Sequence, residues 1–209
     1  MTVCRSEVLA ELLPGSVRTF QTELDSSCHT QVRRSAEFRA GRACAHAALR
    51  GLGVSGAVTR RPDRSPHWPQ GTIGSISHCA HLAVAVATTD RALFALGVDV
   101  EEDLDITVDL DPLLFTTQER QLVRTTEDPS LAAILVSAKE SAFKSWYPTT
   151  GTQLEFTDVE ITPDIAARGF LAHMLKPSQT GNQPPRVRGR FARHAGHIFT
   201  TAWAVGPNS

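Results

Sequence analysis

A chain of 209 residues, 41% hydrophobic and 21% charged, can bury a sizeable core as one large domain or two of about 100 residues each. Its net charge of −1 supplies no overall field to recruit nucleic acid or a membrane surface, so local clusters must do any charge-based work. The longest apolar runs are strand-sized, and the opening Met1-Thr2-Val3-Cys4-Arg5-Ser6-Glu7 has an early acid, so neither a membrane span nor a secretory signal is expected and the cytoplasm is the expected compartment.

Residues 1–33 give weak signals, with Pro14-Gly15 as a turn between short helical pieces. Residues 35–49 are Ala-rich and read as a helix, with Ser35 as N-cap and Gly51 and Gly53 as its stop. A Pro- and Arg-rich loop over 60–72 is followed by residues 73–78 and then by a strand at 82–88. A turn around Asp90 leads into a second strand at 92–100. Residues 103–110 read as a linker. Thr116 or Thr117 caps a helix running through Glu119 to Val123, and residues 131–146 form a helix stopped by Pro148 and Gly151. Strands are predicted at 154–161, 168–175, 186–193 and 197–205, with a loop over 177–185.

His78-x-x-His81 and His194-x-x-His197 each precede an alternating strand. That echo is either a coincidence any α+β chain offers or the trace of two similar α+β subdomains with a cleft between them. Cys4, Cys28, Cys44 and Cys79 are scattered without CxxC spacing and read as reduced thiols.

Asp99 and Glu101 stand at i, i+2 at the end of an apolar strand, which puts both carboxylates on one face. Such a pair is either a solvated strand end or a site for a cation, and all-oxygen ligands suit Mg²⁺. The chain has 18 Arg and only 3 Lys, yet Lys139 and Lys144 fall within six residues of one another around Glu140. Glu140 and Lys144 share a helix face, and Lys139 is offset by about 100°. The trio is a surface ion pair with a neighbour, or a group that completes a metal site and binds phosphate. Arg34, Arg39, Arg42, Arg60, Arg61 and Arg64 lie upstream, either as solvated cations or as a pocket for a polyanion. His78 suits a phosphate contact. The segment GSISH lacks the second Gly of a nucleophile elbow, and His78-x-x-His81 is a weak zinc pair because those side chains diverge on a strand or turn.

Taken in order, GSISHC (74–79), GVDVE (97–101) and SAKESAFK (137–144) resemble the 4′-phosphopantetheinyl transferases of the larger, single-chain type. GRACAHAALRGLGV (41–54), PHWPQGTIGSISH (66–78) and FTDVEI (156–161) carry the likeness further, from about Arg34 to Val205. The resemblance implies a pseudo-dimeric α+β fold with halves at 1–103 and 104–209, a cleft between them, and a monomer. It implies Mg²⁺ held by Asp99, Glu101 and Glu140, with phosphate bound by Lys139 and Lys144 and the coenzyme A pyrophosphate contacted by His78. Arg34, Arg42 and Arg64 would hold the adenosine 3′-phosphate, with Arg64 standing where the family often has Lys in a loop about one residue longer.

The implied reaction moves phosphopantetheine from coenzyme A to a serine of an apo acyl or peptidyl carrier protein and releases 3′,5′-ADP. Glu140 or a metal-bound water would be the base. A Mg²⁺-dependent phosphohydrolase would use the same groups. A non-catalytic module for coenzyme A or a carrier protein would have little need of an acid between two lysines.

Overall fold

The computed structural model describes residues 2–24, 30–103, 112–177 and 186–206. Its first half runs β1 (Cys4–Arg5), α1 (Glu7–Leu12), β2 (Arg18–Glu23) and α2 (Thr30–Gly51). A small hairpin follows, β3 (Thr59–Arg60) and β4 (Pro66–His67), then β5 (Ile73–His78) and β6 (Leu82–Thr88). These strands make an antiparallel sheet of order β1-β2-β6-β5, with β3 and β4 paired apart from it. The run LAVAVAT in β6 is buried at every position, because α2 covers one face and the junction with the second half covers the other.

The second half runs β7 (Leu93–Glu102), α3 (Thr117–Thr125), α4 (Leu131–Thr150), β8 (Val159–Asp164), β9 (Gly169–Met174), β10 (Val187–His194) and β11 (His197–Val205). Its antiparallel sheet has the order β7-β11-β10-β9-β8, and α4 packs across β7 and β11. Edge strands β5 and β7 run side by side where the sheets meet. There Val84 and Val86 of β6 share a core with Leu96, Val98 and Val100 of β7 and Phe199 of β11.

The two halves repeat one plan of strand, long helix and closing hairpin, with order β2-β6-β5 in one and β7-β11-β10 in the other. Both HxxH motifs lie at the turns of those hairpins. The fold is α+β, as the sequence implies.

Several predicted features fall elsewhere. The boundary expected near residue 103 would leave β7 with the first half, but its whole ladder is with β11, so the division between the sheets falls between β6 and β7. Ser35 lies inside α2, which starts at Thr30. The strand predicted at 154–161 is a 3₁₀ turn over Phe156–Asp158 followed by β8. The helix predicted to stop near 146 continues through Pro148 to Gly151, whose φ of 66° gives the left-handed cap that glycine adopts without cost.

Thr116 caps α3 as predicted, with Glu119 closing the capping box. Cys4, Cys44 and Cys79 are free thiols, and Cys28 lies outside the described residues, as do nearly all of the predicted linker and the 177–185 loop. No helix among the described residues is long and apolar enough to cross a membrane.

Candidate active site

Asp99 is the centre of a polar cluster at the β5–β7 junction, and it is 1% exposed. A buried carboxylate must have its lone pairs filled. Ser77 of β5 donates to Oδ1 at 2.7 Å, Ser137 of α4 donates to Oδ2 at 2.7 Å, and the Lys144 ammonium donates to Oδ1 at 2.6 Å. Lys144 also donates to Ser77 Oγ at 3.0 Å, and the Val100 N–H reaches the same oxygen at 3.4 Å. Thr200 of β11 donates to the Ser137 carbonyl at 2.8 Å, fixing α4 over the strand that pairs with Asp99. The cluster therefore draws on both halves of the chain.

Helix geometry selects which side chains of α4 take part. Ser137, Glu140 and Lys144 are separated by three and four residues and share a face. Gly97, two residues before Asp99, allows this face to approach β7, since a Cβ there would run into the Ser141 carbonyl oxygen. Burial lowers the Lys144 pKa, but Asp99, with Glu140 and Glu101, more than offsets it and the net shift is upward. The ammonium stays charged.

Glu101, on the same strand face, is exposed as a residue, yet its carboxyl is partly desolvated and crowded by Asp99, Glu140 and Glu102. Its pKa is pushed up to about 7. Burial, and then Asp99, likewise raises Glu140, against the pull of Lys144. Three carboxylates that feel one another across two elements are the donor chemistry that a small hard cation takes. Among the described residues, however, no three His, Cys, Asp or Glu side chains stand close enough to hold a metal. Here the cation on Asp99 is Lys144. The donor set fits Mg²⁺ in kind, and the ammonium occupies one of its oxygens.

Lys139, expected among the phosphate contacts, points away from this cluster. It is 2% exposed, pairs with Glu119 at 2.6 Å, and donates to the carbonyls of Leu114 at 2.9 Å and Phe156 at 2.7 Å. Its offset from Lys144, about 140° around the helix, turns it into the second-half core. Glu119 in turn accepts from the N–H groups of Thr116 and Ile161, so this ion pair pins α3 and β8 to α4.

His78 ends β5 with Nδ1 3.8 Å from the largely buried carboxylate of Glu37, and burial lowers its pKa. His81 faces Glu102 instead, at 3.4 Å. On α2, Arg34 is exposed. Arg42 donates to the carbonyls of Val58 and Thr59 at 2.7 Å each, and lies near enough to Arg60 to be repelled by it. Ser77, Ser137 and Glu37 sit within segments singled out in the sequence, but their roles come only from the packing.

Lys144 also lines a cavity of about 650 Å³. Its walls include Arg64 and Trp68 from the first half and Phe94, Phe143 and Tyr147 from the second, a cationic and aromatic lining between the halves.

Comparison with known proteins decides the family. Residues 95–203, just over half of the chain, match the 4′-phosphopantetheinyl transferase superfamily, and residues 24–88 match the 4′-phosphopantetheinyl transferase N-terminal domain. The chain belongs to the 4′-phosphopantetheinyl transferase superfamily.

Among its relatives, 4′-phosphopantetheinyl transferase Svp of Streptomyces mobaraensis is 32% identical over 84% of this chain and 74% of its own length. The transferase PptT of Mycobacterium tuberculosis is 31% identical over 95% of this chain and 92% of its own. Enterobactin synthase component D of Salmonella typhi is 38% identical over 83% and 73%. The matched superfamily segment of the transferase contains Asp99, Glu101, Glu140 and Lys144, and it begins within β7, in agreement with the division the strand pairing shows.

Proposed function

We propose that this transferase moves the 4′-phosphopantetheine group of coenzyme A onto a serine hydroxyl of an apo acyl or peptidyl carrier protein, with 3′,5′-ADP as the leaving group. The observation that carries the reading is the Asp99 cluster, in which an acid from one strand, a serine from the facing strand and a helix lysine meet, the lysine being shared with the lining of a cavity between the halves. A phosphohydrolase would use similar groups, but family membership favours transfer.

The donor's pyrophosphate lies beside Lys144, which supplies positive charge, with the neighbouring His78 supplying an imidazole. Its nucleotide lies toward Arg64 and the basic face of α2. Asp99, Glu101 and Glu140 would hold Mg²⁺, which when bound neutralises pyrophosphate charge and the charge developing on the leaving group. With that cation on Asp99, the Lys144 ammonium would be free for the phosphate oxygens, so that both the acid and the anion stay compensated. The serine oxygen bonds to the β-phosphorus, the bond to the bridging oxygen breaks, and the hydroxyl proton passes to Glu140. A carboxyl raised by burial suits that proton transfer. Lys139 supports α4 from behind and takes no part in binding.

Incubation of an apo carrier protein with coenzyme A and Mg²⁺ should add the mass of one phosphopantetheine group, located on a serine. Asp99→Ala and Glu140→Ala should each abolish the gain while circular dichroism stays native. Near-normal turnover in either variant would remove the acidic site from the mechanism.

A further inference from the structure

The wall of the cavity opposite α4 is the tip of the β3–β4 hairpin, and a single carboxylate organises it. Asp63 Oδ1 accepts from the Ser65 N–H at 3.0 Å and the Ser65 hydroxyl at 2.7 Å. Arg64 N–H donates to the Arg61 carbonyl, and Arg61 N–H to the Ser65 carbonyl, each at 2.9 Å. This closed turn holds Arg64 at φ 73°, a left-handed conformation that a non-glycine residue keeps only when its surroundings impose it.

The other oxygen of Asp63 does something different. Tyr147 Oη, from α4, donates to Asp63 Oδ2 at 2.8 Å. Tyr147 sits three residues beyond Lys144, stacked on Phe143 with ring centroids 5.6 Å apart, and all three line the cavity. One carboxylate thus builds the turn that directs Arg64 and ties that turn to the helix carrying the reaction centre. The hydrogen bonds from Ser65 and then Tyr147 hold the Asp63 pKa down, and the bond to Asp63 raises that of Tyr147, so both groups keep these protonation states at neutral pH.

We infer that the Tyr147–Asp63 hydrogen bond is a tether across the cavity mouth that aims Arg64 at the 3′-phosphate of the donor nucleotide, making Tyr147 and Asp63 positioning residues for donor recognition. The inference rests on the reading of Arg64 as a nucleotide contact. It adds that recognition of the 3′-phosphate depends on a bond between the two halves. Loss of the tether frees the loop without touching the Asp99 cluster, so its effect falls on affinity for the 3′-phosphate and not on the chemical step.

Calorimetric binding of 3′,5′-ADP and of 5′-ADP tests this without requiring turnover. Tyr147→Phe keeps the ring and its stacking and removes only the hydroxyl. Its Kd for 3′,5′-ADP should rise roughly threefold to tenfold, the range for one ordinary, solvent-exposed hydrogen bond, while that for 5′-ADP stays put. In an Asp63→Ala background, adding Tyr147→Phe should change nothing further. In the transfer assay, the KM for coenzyme A should rise by the same factor with kcat unchanged.

The inference is overturned if wild-type protein binds the two nucleotides equally, if Tyr147→Phe weakens both alike, or if the two substitutions act additively. A lowered Tm with both affinities unchanged would also overturn it, leaving the bond a role in stability alone. A wild-type protein that binds 3′,5′-ADP selectively but transfers nothing would defeat the proposed reaction and leave the tether standing.

Discussion

Two lysines five residues apart on one helix meet opposite environments. Lys144 reaches Asp99 and Ser77 at the junction of the halves, while Lys139 is spent entirely on Glu119 and two backbone carbonyls. The sequence shows that α4 carries an unusual concentration of the chain's few lysines, and the helical offset hints that they diverge. It does not show which is structural, because the partner of Lys139 comes from another helix, 20 positions earlier. Removing one member of a fully buried pair leaves a charge without compensation. Lys139→Met should therefore lower unfolding free energy by about 3 kcal/mol in urea titrations, with little change in the KM for coenzyme A. Near-wild-type stability with a raised KM would return Lys139 to the phosphate site.

At the level of elements, the β7–α4 contact sets the geometry of the site, and Gly97 sets the contact. A methyl group there would strike the Ser141 carbonyl, so Gly97→Ala must push strand and helix apart and stretch the Ser137–Asp99 bond. The expected cost is about 1–3 kcal/mol, with transfer lost more steeply than stability. Unchanged kinetics in a folded Gly97→Ala protein would show that the spacing tolerates displacement. The apolar strands and the capped α3 were readable because their pattern is local. By contrast, β2 escaped notice because its buried positions are Thr19 and Thr22, whose hydroxyls donate to the carbonyls of Ser6 and Thr2. Hydrophobic periodicity does not register a strand buried through threonine. The start of α2 differs for another reason: Ser35 is only one of several cap-type residues in this stretch, Thr30 among them, and the helix runs straight past it.

For the whole molecule, the decisive pairing is the least local one. The ladder of β7 with β11 joins residues about a hundred positions apart, so a sequence boundary drawn at the acidic stretch after Glu101 cuts the wrong side of the strand. The same arrangement makes the halves share apolar side chains, with Leu82, Val84 and Val86 of β6 against Val98, Val100 and Phe199. Neither sheet can lose its fold without exposing the other. Denaturant unfolding should accordingly be one transition, superimposable whether followed by far-ultraviolet dichroism or by fluorescence of Trp68, Trp146 and Trp203. Separate midpoints would mean independent units. The repeated plan also specifies a mirror location, across β2 and β10, to match the junction of β5 and β7. There α1 packs against β2, β10 and β11, with Leu9 and Leu12 buried. What duplication would have offered as a second workplace is thus filled with hydrocarbon, which leaves the proposed reaction a single centre in each polypeptide.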